Sequence, residues 1–173
     1  MKRIVCLFIC LFAGTANAGL VGDTVHIAHN WSTLGSEIYT PMDVLVENGS
    51  GDLANVSPAY SVDVDDLSVF VDFIANATWN TGPFNGLVIS NIDSILSDFV
   101  VSTNFAGWDD SRFTYTSDSL MFNWSGLAFN GDTTFQLNFN TSQVPEPASI
   151  ALIGLGLAGI GITSGFTRKK KTA

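Results

Sequence analysis

From residue 60 to residue 74 the chain alternates between two kinds of side chain, and a period of two leaves little choice but extended β-structure. Val62 and Val64 fall on one side, Asp63 and Asp65 on the other. After Asp66-Leu67 the pattern resumes, with Val69, Val71 and Phe73 set against Phe70 and Asp72. Successive side chains of a strand point to opposite faces, so each half of this run has a wet face and an apolar one. Residues 24–29, 44–46, 87–89, 98–103, 112–116, 120–124 and 134–139 read as further strands. Helical periodicity is not sustained anywhere between residues 19 and 140, and only residues 91–97 predict a short turn of helix. Asn48-Gly49, Gly82-Pro83, Asn85-Gly86 and Asn130-Gly131-Asp132 read as turns. About eight or nine short strands, so punctuated, predict an all-β antiparallel β-sandwich or jelly roll. A passenger of about 120 residues can bury a two-sheet core.

The two ends are of another kind. Met1-Lys2-Arg3 is a positive start, residues 4–12 are apolar but too short to span, and Ala16-Asn17-Ala18 is a small-x-small site. Together they predict a signal peptide cut after Ala18, and hence the Sec machinery and signal peptidase as partners. Cys10 is preceded by Ile9 where lipidation wants a small residue, so a lipoprotein is not expected. At the other end, the 20 residues 148–167 carry no charge. As a helix they would be about 30 Å long, the thickness of a bilayer's hydrocarbon core. Pro145 and Pro147 stand just before it, where proline is tolerated, and Arg168, Lys169, Lys170 and Lys171 follow at once. The positive-inside rule then holds the C-terminus in the cytoplasm. The expected order is signal peptide 1–18, β-sandwich passenger 19–140, linker 141–147, transmembrane helix 148–167 and basic tail 168–173.

Charge narrows the partners. Between residues 19 and 144 the one basic residue is Arg112, against 15 of the chain's 16 acidic residues. Such a surface repels nucleic acid and anionic lipid and suits cations, neutral glycans or basic surfaces. Both cysteines, Cys6 and Cys10, lie in the leader, so the passenger has no disulfide and no thiol nucleophile. His26 and His29 are three apart, which on a strand sets them on opposite faces and prevents joint chelation. Asp63, Asp65 and Asp66, with Asp109 and Asp110, are candidate calcium ligands, although no EF-hand pattern is present. Trp31, Trp79, Trp108 and Trp124 are candidates for a sugar-stacking platform. No Gly-x-Ser-x-Gly or phosphate loop occurs, so no enzyme is expected.

Val144-Pro145-Glu146-Pro147, the glycine-rich apolar span and the basic end together resemble the PEP-CTERM sorting signal. The resemblance implies that Pro145, Glu146 and Pro147 are recognised by exosortase, a membrane enzyme that cuts near the motif and passes its substrate to the cell surface. The same tail is also catalogued as an ice-binding protein C-terminal domain, a label that describes the tail and not ice binding. Phe84-Asn85-Gly86-Leu87, Thr103-Asn104, Ser111-Arg112-Phe113-Thr114 and Asn123-Trp124-Ser125-Gly126 resemble a recurrent group of PEP-CTERM passengers. The implied protein is exported, held first in the inner membrane and then at the surface, as a structural component of an exopolysaccharide matrix or biofilm. The alternative is a carbohydrate-binding module, calcium-dependent if the aspartates bind metal; a secreted hydrolase ranks last.

Overall fold

The computed structural model of the protein describes residues 19–49 and 53–142. The expected leader, sorting motif, membrane span and basic tail lie outside these residues. No helix among the described residues is long and apolar enough to cross a membrane.

The body is a two-sheet antiparallel sandwich. Its strands are β1 (Thr24–Ser32), β2 (Glu37–Leu45), β3 (Ala54–Ser57), β4 (Tyr60–Asp65), β5 (Ser68–Phe73), β6 (Ala77–Thr78), β7 (Phe84–Ser90), β8 (Ile95–Thr103), β9 (Phe113–Tyr115), β10 (Leu120–Asn123), β11 (Ala128–Phe129) and β12 (Thr134–Ser142). One five-stranded sheet runs β2-β1-β7-β10-β9 and the other β3-β4-β5-β12-β8, while β6 and β11 form a small separate ladder.

The alternating run at 60–74 becomes the β4–β5 hairpin, with Asp63 opposite Phe70 and Asp65 opposite Ser68. Its Val62, Val64, Val69, Val71 and Phe73 are completely buried. They meet Val25, Ile27, Leu87, Ile89, Leu120 and Phe122 from the other sheet. Burial of apolar area on this scale is the main force holding two sheets together. On one side the gap between the sheets is closed by aromatic rings: Phe99 of β8 meets Phe113 and Tyr115 of β9, with centroids 5.2 and 4.4 Å apart. Strand β8 is an edge strand, and a bulge opposite Phe139 puts Asp98 at φ 54°, which twists the edge and blunts its pairing.

Three local expectations change. Residues 91–94 are irregular and Ile95 opens β8, so no helix forms there. Ile92 is used instead as a buried anchor where the chain crosses between sheets. The helical turn that does form is a 3-10 turn at Asp110–Arg112. Asn85-Gly86 is not a turn but lies within the first half of β7, with Gly86 paired to both β1 and β10. Strand β12 also continues through Thr141 and Ser142, taking up the first residues of the expected linker.

Candidate functional site

Strand directions sort the loops into two poles. At one pole lie the described N-terminal residues, the connections 46–49 and 91–94, the β4–β5 turn and the end of β12. The Ser94 hydroxyl donates to the Gly19 carbonyl (3.0 Å), and Ile95, the next residue, pairs with Ser142. The chain therefore enters and leaves the body side by side, and we call this the exit pole. The opposite pole carries the long connections 74–83, 104–112 and 124–133.

That distal pole holds a groove of about 270 Å³ lined by Asn104, Ala106, Ala128, Phe129, Asn130, Asp132 and Thr133. Its walls are fixed by side-chain amides. Asn104 Oδ1 accepts from the Thr134 amide (2.8 Å), and Asn104 Nδ2 donates to the Asp132 carbonyl (2.8 Å). Asn130 Oδ1 accepts from the Asp132 amide (3.0 Å), and Asn76 Oδ1 from the Gly131 amide (3.0 Å). Asn130-Gly131-Asp132 is the turn its sequence predicts; that the turn forms a wall depends on Asn104 and Asn76, far away in the chain.

The tryptophans do not form one surface. Trp79 and Trp124 are in the core, stacked on each other at 6.1 Å and around Tyr60, Phe73 and Phe129. Trp108 is half-buried against Phe135 (4.6 Å), and its Nε1 donates to Asp110 Oδ1 (3.2 Å). Trp31 is half-buried over Gly82. A stacking platform needs exposed faces; Trp79 and Trp124 are spent on packing, while Trp31 and Trp108 are partly exposed and lie apart from each other.

The aspartates are separated as well. Asp63 and Asp65 are on the outward face of β4, where Asp65 Oδ1 accepts from the Gly49 amide (3.1 Å). Asp66 turns to the N-terminal segment and accepts from the Val21 amide (3.3 Å). Asp109 and Asp110 are at the distal pole. Asp109 caps the 3-10 turn by accepting from the Ser111 amide (2.9 Å). The Ser111 side chain foremost, and then this amide, hold its carboxyl below the usual range. Among the described residues no three metal-ligating side chains converge.

The two histidines take opposite faces of β1. His26 is outward, its Nδ1 2.7 Å from Asp43 and its Nε2 3.2 Å from Glu37. These carboxylates flank a bulge in β2, and the Asp43 hydrogen bond foremost raises the His26 pKa. His29 is inward and completely buried. Asn85 Nδ2 donates to the Asn80 carbonyl (2.9 Å), so its Oδ1 faces His29 Nε2 (2.8 Å), which must carry the proton. His29 Nδ1 then accepts from the Tyr60 hydroxyl (2.9 Å). Burial pushes the imidazole down to about 4 against the opposing pull of Asn85, and pushes Tyr60 well above its ordinary value. Tyr39 lies in the β2 bulge at φ 64°, with its ring edge-on to His29 at 5.4 Å. The arrangement is a neutral hydrogen-bonded chain that joins the two sheets.

Residues 143–169 match the PEP-CTERM protein-sorting motif. No curated protein and no solved structure matches the chain. The motif supports an exported, sorting-tagged protein whose body is a two-sheet antiparallel sandwich.

Proposed function

We propose that this protein is a substrate of exosortase, which recognises Pro145, Glu146 and Pro147 and releases the sandwich to the cell surface or extracellular matrix. Before processing, residues 148–167 hold the precursor in the inner membrane and Arg168, Lys169, Lys170 and Lys171 keep its end in the cytoplasm. The observation that carries the reading is the sorting motif at residues 143–169, which begins directly after the last residue of β12. The body is then cargo, a non-catalytic component of the exopolysaccharide matrix, and the burial of Trp79 and Trp124 supports packing over display. Replacing Pro145, Glu146 and Pro147 by alanine should leave the protein uncut in the membrane fraction, read by fractionation and intact mass. Normal release of that variant would refute the sorting role.

A second reading, glycan binding, draws support from the groove at the distal pole. That groove is lined by amides beside a carboxylate, which suit neutral sugar hydroxyls. Expected is saturable binding to the producer's own exopolysaccharide that weakens about tenfold in Asp132→Ala, a loss of roughly 1.4 kcal/mol. Equal binding by that variant would take the groove out of the reading, and absence of binding by the parent would leave the body as a structural component only.

A further inference from the structure

The first residues of the body are held more firmly than a chain end requires. The Leu20 amide donates to the Asp66 carbonyl (3.0 Å), the Gly22 amide to the Val46 carbonyl (2.9 Å) and the Asp23 amide to the Leu20 carbonyl (2.9 Å). The Leu20 side chain is completely buried. Gly19 lies flat on Asp66: a Cβ added to Gly19 would overlap the Asp66 carboxylate, so only glycine fits without displacing it. A Cβ and its backbone nitrogen are two bonds apart, so the Gly19 nitrogen lies within about 4 Å of that carboxylate.

Among the described residues the charged side chains around this point are acidic. Asp23 belongs to the same turn, and Asp93 precedes Ser94, which binds Gly19. Burial first, and then the charge of Asp93, raise the Asp23 pKa, and Asp23 Oδ2 is buried without a hydrogen-bond partner. Glu47, Asp65 and Asp118, on the adjoining segments, are acidic too. The sole basic side chain of residues 19–144, Arg112, is far from them, donating to the carbonyls of Asn123 and Ser125 at the distal pole.

We propose that the α-ammonium group of Gly19, created by signal-peptide cleavage, docks on Asp66 with Asp23 and Asp93 close by. The inference rests on cleavage after Ala18. Water adds across the Ala18–Gly19 bond, leaving a carboxylate on Ala18 and an amine on Gly19 that is protonated at neutral pH. In the precursor the same nitrogen is an uncharged amide, so the pair exists only in the mature chain. Cleavage thus places a positive charge where the fold has gathered carboxylates. Ser94 and Ile95 connect that point to Ser142, so maturation at one end braces the strand from which the sorting tail departs.

The test uses the processed protein purified from the producing cell. Intact mass first shows whether the chain begins at Gly19. The α-amine is then titrated by its rate of acylation, followed on the N-terminal peptide. Its pKa should lie about one unit above the ordinary 7.7–8.0 range. Acylation near neutral pH should be roughly tenfold slower than in the unfolded protein, because only the free amine reacts. Asp66→Asn should abolish the shift. If that variant does not fold, inserting one serine between Ala18 and Gly19 moves the charge away from Asp66 and should abolish it equally. An ordinary pKa on a chain that begins at Gly19 would overturn the proposal alone. A chain that begins elsewhere would overturn the cleavage reading and the proposal with it.

Discussion

His29→Ala should lower the stability of the sandwich by about 4 kcal/mol, from cavity formation and from polar groups left unmatched. The ring touches Trp79 at 4.6 Å and Tyr39 at 5.4 Å, so its removal empties a space between rigid aromatic neighbours. It also leaves the Tyr60 hydroxyl and Asn85 Oδ1 buried without their partner. Urea unfolding followed by tryptophan fluorescence measures this directly, because Trp79 and Trp124 surround the site. The same residue sets an acid limb. His29 is neutral in the fold until about pH 4, whereas a histidine in the unfolded chain titrates near 6.5. The unfolded chain therefore binds a proton that the native state refuses, and stability falls as pH drops between those values, by roughly 3 kcal/mol in total. His26 has the opposite sign. Its folded pKa is raised, so its contribution is complete below the unfolded value and is lost as pH rises through the folded one. His29→Ala should flatten the acid limb and leave the His26 limb in place. An unchanged acid limb, or a loss of under about 1 kcal/mol, would mean that the buried chain is not a structural keystone.

Much of this fold was legible because its alternation is strict. The hairpin at 60–73 reads directly from Val62, Val64, Val69, Val71 and Phe73, since a one-residue slip would bury Asp63, Asp65 and Asp72. Strand β2 was legible only at its end. Thr40-Pro41 interrupts its pattern, and Tyr39 adopts a left-handed conformation that hydrophobic periodicity does not encode. Strand β3 is four residues long, too short to show a period. The exchange of roles among polar residues was not legible at all. His29, Tyr60, Asn80 and Asn85 come from three strands and a loop, and nothing local in the sequence marks them as one chain. The tryptophans could not be sorted for a related reason: an indole is equally suited to a core and to a sugar surface, and only tertiary contacts place Trp79 and Trp124 in the core and leave Trp31 and Trp108 half-buried. Only the sorting motif could be read as a unit, because its parts are contiguous.

Gly86→Ala should be the most damaging single methyl in the body, costing at least about 4 kcal/mol or preventing folding. Asn-Gly normally signals a turn, where glycine is needed for a positive φ. Gly86 is not among the positive-φ glycines, and it sits mid-strand between Asn30 of β1 and Asn123 of β10. Its requirement is for space. A Cβ there would overlap the carbonyl of Phe122 and press on the Trp124 amide. Both belong to backbone that cannot turn aside: the Trp124 amide donates to the Asn85 carbonyl (2.8 Å), and Phe122 is locked opposite Leu87 and Phe113. Relief would require β7 and β10 to separate in the middle of a sheet, undoing the contacts of Leu87, Phe122 and Trp124 at once. Gly35→Ala is the control, since Gly35 has φ 83° with open space around it. Its cost should be only about 1 kcal/mol, the penalty of a side chain in the left-handed region. Comparable thermal unfolding of the two variants would show that β7 and β10 can part to admit a methyl group. A large gap between them would establish that the glycine is kept for the close approach of two strands.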